Sequence, residues 1–381
     1  ASVCTVTTTV SFSLTTCLES LSTERTQREP AYQHLSWLDI ESKKPSADTA
    51  DGEELLPLYP LGAVYLPSNH INHTLNNVEP QNIQMARDLL QISKEKRPRE
   101  GNDNGGGSGS RTSRPRFCAV LRTMDTGRIA SIGTILSIVD AEEQYLYGTD
   151  EVARIRLTCQ VEQLVKICHV ENGDGWREKR VIRSNEYLRA RVRPVETAAE
   201  QEDDNMAIAE KLGSLMKDFR TVKTMYQLGL GSEDFPPGTL LQLGDAIEDP
   251  DLNSNEERHD TRELFWKIAQ DWQSVCYTLR QGQQSLLSAD RNERMVEAAS
   301  SKGGPLKLPI HMEDLELDDR KVIQRMEMEA QEKHVKLNMD PVLDFQVLIG
   351  LASLEQQIDW LARMVERERR RLEEVASRQY A

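Results

Sequence analysis

The sequence predicts an α+β protein, with a mostly β domain over residues 55–196 followed by a helical domain over residues 197–381. Two observations predict this class. The first span contains short apolar, β-branched runs between prolines and glycines, which is the pattern of strands in a closed or folded-over sheet. In the second span apolar residues recur at steps of three and four, the period of helices that bury one face. A chain of 381 residues is long enough for two domains and connecting segments.

The charge balance argues against a general binder of polyanions. The sequence holds 62 acidic and 47 basic residues, a net charge of −15. Such a surface repels nucleic acid and anionic membranes on average, although a local basic patch would override the average. No uncharged apolar run approaches the ~20 residues that a bilayer span requires, so we expect a soluble protein without a membrane span.

The first 54 residues have the composition of a separate segment. Residues 1–18 carry no charged side chain and are rich in Ser, Thr and Val, and the first acidic residue is Glu19. This composition is typical of a plastid targeting segment, and a simple disordered tail is the alternative. We therefore expect residues 1–54 to be a disordered segment that serves as a transit peptide, with localisation in the plastid (chloroplast).

Within the β domain, turn residues and apolar alternation locate the elements. A first strand pattern at 55–67 is followed by a helical pattern at 81–91. Residues 94–116 are basic and Gly-rich, which predicts a mobile insertion loop. Further strand patterns follow at 117–121, 132–139, 153–158, 161–170 and 187–195.

In the helical domain, apolar spacing predicts helices at 198–228, 263–289, 318–336 and 340–377. The last helix carries the seam of a coiled coil, which only Glu368 interrupts. The seam consists of Leu354, Ile358, Leu361, Val365, Leu372 and Val375. Packing of this seam inside the bundle is favoured, and a homodimer through residues 354–375 is the alternative.

The sequence lacks the motifs of common catalytic chemistries. It has no GxxxxGK[ST] loop for nucleotide phosphates, no GxSxG elbow and no HExxH pair. The six cysteines include no CxxC, and His70 and His73 have no third metal ligand beside them. We therefore predict that the protein is not an enzyme and uses neither a cofactor nor a metal. Cys118, Cys159 and Cys168 are expected to be free thiols in the core.

Four segments of the β domain resemble the N-terminal domain of Lon proteases. Residues 56–67, Leu-Pro-Leu-Tyr-Pro-Leu-Gly-Ala-Val-Tyr-Leu-Pro, are similar to the opening strand of that family, which reads LPLFPLG and then an apolar pair, an aromatic residue and Pro. Glu79-Pro80 with the helix after it, residues 117–120 with 132–135, and residues 187–192 are similar to later segments. The resemblance covers residues 55–196. It implies a PUA-like β barrel followed by a helical bundle with a long C-terminal helix.

The chain also departs from that family. It lacks the aromatic residue before Glu79 and the Arg-Tyr pair after Pro80, and it has no counterpart of the ATPase and protease regions. It therefore resembles the stand-alone Lon-domain proteins of plastids and bacteria. The resemblance implies a non-catalytic module that binds unfolded or client polypeptides in organellar protein quality control. A separate protease or chaperone is the further partner that it implies.

The residues expected to bind peptide lie in the first strand pattern. They are Leu58, Tyr59, Val64 and Tyr65, for which packing in the core is the alternative. The competing function is RNA binding, because PUA-like barrels also serve RNA and basic side chains occupy alternating or turn positions of the β domain. These are Arg154, Arg156, Lys179, Arg180, Arg183, Arg189, Arg191 and Arg193. A third alternative is a component linked to ATP-dependent proteolysis by a separate protease.

Overall fold

A computed structural model describes residues 35–38, 52–67, 71–95, 114–123, 126–173, 186–195, 204–231, 235–236, 238–240, 243, 261–300, 310–336 and 340–379. The chain divides into two compact units. The β unit comprises residues up to 195 without 66–68, and the helical unit comprises residues 66–68 and those from 196 onward. The predicted N-terminal segment, apart from 35–38 and 52–54, lies outside the described residues. So does the Gly-rich part of the predicted loop, residues 96–113.

The described residues of the β unit contain six strands and one helix. The strands are β1 (Glu54–Leu61), β2 (Asn72–Asn77), β3 (Arg116–Arg122), β4 (Ile129–Tyr145), β5 (Val152–Val170) and β6 (Arg189–Pro194), and the helix is α1 (Pro80–Glu95). Their order in the sheet is β2-β5-β4-β3-β1-β6, and β6 also pairs with β5. Because β5 pairs with both β4 and β6, five strands close into a ring. This barrel confirms the predicted closed sheet and, with the helices that follow it, the α+β class.

The strand β5 corrects the sequence-based division of this region. Two separate strands were expected at 153–158 and 161–170, and the structure has one strand of 19 residues. Its first half pairs with β2 and its second half with β6, while β4 runs along most of its length. The change of pattern near Gln160 therefore marks a change of partner and not a turn. Register shifts within the β4–β5 and β5–β6 ladders let so long a strand bend around the barrel.

The strand β2 was not predicted, because its sequence, Asn-His-Thr-Leu-Asn-Asn, is polar and carries only one large apolar residue. It forms nevertheless, since each of its six residues is in register with a residue of β5. A further unexpected pairing lies inside the span predicted to be disordered. Trp37 forms an isolated bridge with Ala130, and the amide of Leu38 donates to the carbonyl of Ile129 at 2.8 Å.

One hydrophobic cluster of the β unit lies between the barrel and α1. Met85, Ala86 and Leu89 project from one face of α1, as the helical pattern predicted, and pack with Tyr59 and Phe117. The rings of Tyr59 and Phe117 meet edge to face, with centroids 5.9 Å apart.

The cysteine prediction is correct at two positions and wrong at one. Cys118 and Cys159 are buried as expected, whereas Cys168 is exposed. Alternation along β5 explains the error, because Cys168 lies two residues after the exposed Lys166 and so points outward with it. Cys276, in the helical unit, is also buried.

The described residues of the helical unit form five α-helices. These are α2 (Asp204–Gln227), α3 (Thr261–Ser300), α4 (Leu317–Lys336), α5 (Leu343–Gly350) and α6 (Leu354–Gln379). None of the helices in the described part is long and apolar enough to cross a membrane. The predicted seam of α6 is buried from Leu354 to Leu372 and half-buried at Val375. It packs within the chain, chiefly along α2, and dimerisation through residues 354–375 stays a prediction.

Glu368 interrupts this seam and is nevertheless fully buried. Its carboxylate accepts two bonds from the Arg371 guanidinium, at 2.8 and 2.7 Å. It also accepts the hydroxyl of Tyr226 on α2, at 2.7 Å. Burial and the negative charge of Glu368 raise the pKa of Tyr226, so this phenol remains a donor at neutral pH. A carboxylate can occupy a core position here because both of its oxygens are satisfied.

Candidate functional site

A pocket of about 270 Å³ opens in the β unit where four separate segments converge. The segments are the end of β1 with Gly62, the end of β2 with the turn into α1, the end of β3, and the stretch that leads into β6. Its apolar or aromatic lining consists of Leu58, Tyr59, Pro60, Leu61, Val78, Tyr187 and Leu188. Its polar lining consists of Asn76, Glu79, Gln81, Asn82, Arg122 and Glu186. The pocket thus combines an apolar wall with a polar rim.

The strand β1 forms the floor. Leu58 and Tyr59 are 1% and 5% exposed although they point to opposite faces of the strand. Both faces of β1 are therefore covered. The parallel ladder with β3 places Leu58 opposite Cys118 and Leu61 opposite Leu121, which fixes the floor to the barrel. The amide of Leu58 donates to the carbonyl of Leu188 at 2.8 Å, so the floor is also fixed to the opposite wall.

Glu79 forms a charged corner at the start of α1. Its carbonyl accepts the amides of Asn82 and Ile83, at 2.9 and 3.0 Å, and Pro80 occupies the first helical position, where a missing amide hydrogen costs nothing. Its carboxylate accepts the side-chain amides of Gln81 at 2.8 Å and Asn82 at 3.2 Å. A negative charge is favourable at this position because the helix N-terminus carries partial positive charge.

Tyr59 stays protonated beside this corner. Burial, followed by the negative charge of Glu79, raises the pKa of Tyr59 from 10.0 to about 12. The phenol is therefore a neutral group over the physiological range and is poorly suited to act as a base.

Tyr187 forms the opposite wall and is held from several sides. Its hydroxyl donates to a carboxylate oxygen of Asp88 on α1 at 3.0 Å, and its carbonyl accepts the side-chain amide of Asn172 at 2.8 Å. The guanidinium of Arg189 lies over its ring, 5.4 Å from the centroid. These contacts fix the ring before any ligand arrives, which lowers the entropic cost of binding.

The lining combines carboxylates, a guanidinium, side-chain amides and phenols with apolar side chains. Among the lining residues that the structure describes there is no Ser, Cys, His or Lys, the usual nucleophiles and proton carriers. The same part of the chain contains no group of three His, Cys, Asp or Glu side chains placed to hold a metal ion. Amides and charges of both signs line the rim, and such groups can bond a polar backbone while the wall contacts an apolar side chain.

The structure brings together two of the four residues predicted to bind peptide. Leu58 and Tyr59 line the pocket, whereas Val64 and Tyr65 do not. Val64 is buried, and Tyr65 packs its ring edge against His73 with centroids 4.8 Å apart. The sequence argument missed Val78, Glu79, Arg122 and Tyr187 as lining residues. Glu79 and Tyr187 do lie in segments that carry the resemblance, and this was the available signal.

Several of the basic side chains considered for RNA binding already contact other side chains of the β unit. Arg191 forms an ion pair with Glu171 at 2.9 Å, and Nε of Arg154 donates to Gln144 at 2.7 Å. Arg189 lies against Tyr187, as described above. Lys179, Arg180 and Arg183 lie outside the described residues.

No family model and no curated protein matches this chain. Two solved structures are similar to it over about half of its length. The Lon N-terminal domain protein from Xanthomonas campestris is 18% identical with a TM-score of 0.25, over 51% of this chain and 91% of that one. The N-terminal domain of Mycobacterium avium complex Lon protease is 13% identical with a TM-score of 0.28, over 60% of this chain and 98% of that one.

Proposed function

We propose that the β unit binds an unfolded or extended polypeptide segment and holds one apolar side chain in the pocket beside β1. The observation that carries this proposal is the pocket itself, in which an apolar wall meets a rim of amides and charges. A peptide presents the same combination, because each residue joins a polar backbone to a side chain.

The size and the charges of the pocket support this class of ligand. Its volume of about 270 Å³ is below the usual range of sites for whole cofactors, so it suits a side chain of a longer ligand. Glu79 and Arg122 place opposite charges at the rim, which suits a neutral backbone better than a polyanion. The fixed position of Tyr187 supports binding without a large rearrangement.

The same proposal places this binding in organellar protein quality control of the plastid type. In that role the chain is an adaptor without catalytic activity, and a separate protease or chaperone acts on the bound client. Its support is the resemblance of residues 55–196 to the Lon N-terminal domain and the plastid-like composition of residues 1–18.

The direct test uses two neutral, fluorescein-labelled peptides, one alternating Leu with Ser and one with Ala in place of each Leu. Fluorescence anisotropy should show binding of the Leu peptide and weaker binding of the Ala peptide. Val78 is 61% exposed at the rim, so Val78→Asp should leave the fold intact. This variant should raise the Kd of the Leu peptide about tenfold, because burial of an aliphatic side chain of the peptide contributes about 1.5 kcal/mol to the free energy of binding.

The matched control is Val296→Asp, which changes a 43% exposed valine of the helical unit. It should leave the Kd of the Leu peptide unchanged. Equal binding of both peptides, or equal loss in both variants, would contradict the pocket as the binding site. A labelled single-stranded RNA that binds with steep salt dependence would instead favour the RNA alternative.

A further inference from the structure

The hairpin between β4 and β5 ends in three exposed apolar side chains. Tyr145, Leu146 and Tyr147 are 56%, 47% and 106% exposed. Single exposed apolar residues are ordinary, but three consecutive ones at the end of an ordered hairpin are not. We call residues 145–147 the hairpin tip. None of them lines the pocket described above.

Local hydrogen bonds hold the hairpin tip in one conformation. The amide of Leu146 donates to the carbonyl of Glu151 at 2.8 Å, and the amide of Thr149 donates to the carbonyl of Leu146 at 3.0 Å. Gly148 has a φ of +78°, a conformation that glycine adopts without strain. The tyrosine rings therefore project from a rigid support, and rigid Tyr side chains lose little entropy on binding.

Acidic residues surround the hairpin tip. Residues 140–151 include five exposed acids and no Lys or Arg: Asp140, Glu142, Glu143, Asp150 and Glu151. Basic side chains nearby come from other segments. Arg154 and Arg156 of β5 lie opposite Gln144 and Glu142 in the ladder, Nε of Arg154 donates to Gln144 at 2.7 Å, and Arg87 of α1 acts electrostatically on Tyr145. The apolar tip thus has a rim of predominantly negative charge.

We propose that the hairpin tip is a docking site for a basic protein surface, on which its three side chains contact an apolar pocket that Lys and Arg side chains surround. Charge complementarity determines this choice of occupant. The five acids repel anionic lipid and nucleic acid, and they also repel the same tip of a second copy. Lys and Arg side chains of the partner can pair with these five acids. Tyrosine is among the residues that contribute most binding energy at protein interfaces.

The experiment compares two labelled peptides on the full chain, one alternating Lys with Leu and one alternating Glu with Leu. We expect the Lys peptide to bind more tightly and its Kd to rise with salt. The double variant Tyr145→Ser/Tyr147→Ser should raise that Kd at least tenfold. The matched control is Leu228→Ser/Met328→Ser, which removes two exposed apolar side chains, 73% and 62% exposed, from the helical unit and should leave the Kd unchanged.

A second variant tests the charged rim separately. Asp150→Asn/Glu151→Gln, which leaves the hydrogen bond from the Tyr145 hydroxyl to Glu143 in place, should raise the Kd severalfold at low salt and reduce its salt dependence. Val78→Asp should not change the Kd of the Lys peptide. A wrong docking proposal can therefore be distinguished from a wrong proposal for the peptide-binding pocket. The proposal is overturned if the Tyr variant binds like the wild type or if the Glu peptide binds as well as the Lys peptide. Binding of neutral phosphatidylcholine vesicles, or self-association, that requires Tyr147 would overturn it in favour of a membrane or a second copy.

Discussion

Replacing Glu368 with Leu restores the apolar seam of α6 but removes the carboxylate that accepts hydrogen bonds from both Tyr226 and Arg371. The hydroxyl of Tyr226 is fully buried, and the side chain of Arg371 is 17% exposed. Removing one partner of a buried, hydrogen-bonded ion pair typically costs 3–5 kcal/mol. Because Arg371 retains some access to water, we expect about 3 kcal/mol, the lower end of that range.

The companion change Tyr226→Phe removes one hydrogen bond to a charged group and leaves the Glu368–Arg371 pair in place. Loss of such a bond costs about 1.5 kcal/mol. The double variant Glu368→Leu/Tyr226→Phe should be destabilised by less than the sum of the two single changes. Once the carboxylate is absent, Tyr226→Phe also removes the buried hydroxyl that would otherwise lack an acceptor.

Urea unfolding monitored by far-UV circular dichroism measures these free energies, and Glu374→Gln is the control. Glu374 forms an exposed pair with Arg378 at 3.8 Å, and its loss should cost less than about 0.5 kcal/mol. The reasoning fails if Glu368→Leu is as stable as this control, or if the two single changes simply add. The first result would mean that the network contributes no net stability at this position, and the second would mean that Tyr226 and Glu368 are not energetically coupled.

Three further outcomes are expected. Between pH 10 and about 12 the protein should lose roughly 3 kcal/mol of stability through the raised pKa of Tyr59, because the unfolded chain releases this proton first. Tyr59→Phe should be less sensitive to pH in alkaline unfolding curves. A Cβ at Gly133 would lie 2.7 Å from the carbonyl oxygen of Ala119, so Gly133→Ala should cost about 1–3 kcal/mol. Gly213→Ala, in open space on α2, should instead stabilise by about 0.5–1 kcal/mol, and an equal effect at both sites in thermal unfolding would refute the steric argument. Among the described thiols, iodoacetamide should label only Cys168 in the native protein, and peptide mapping that finds the buried thiols labelled first would contradict the burial.

The local sequence pattern correctly predicted those helices and strands whose surroundings do not change along their length. The helix α1 and the buried face of α6 follow from apolar spacing alone, because one face of each helix stays buried along its length. The strand β5 does not, since it changes partner part-way and its pattern changes with the partner. The strand β2 depends on pairing with β5, and its own residues give no apolar signal.

Only part of the pocket lining could be predicted from the sequence, for a related reason. Leu58 and Tyr59 stand in one recognisable motif and could be proposed from it. Val78 and Tyr187 join them only because the barrel closes, and nothing in either local sequence encodes that proximity. Glu368 was visible as an exception to the seam, but its partner Tyr226 lies on another helix, and the sequence does not show which residue would satisfy it.

The three partners of β5 also imply an order of assembly. The hairpin of β4 and β5 closes a short turn, so its entropic cost is small and it should form early. The pairs of β6 with β1 and β5 are different, because β1 and β6 stand at opposite ends of the unit's sequence and their pairing closes the longest loop. Until that step the second half of β5 has no β6 neighbour, and Leu188 has not reached the amide of Leu58. A partly folded barrel therefore has no pocket, so under the proposed function only a chain that has completed its own folding would bind another that has not.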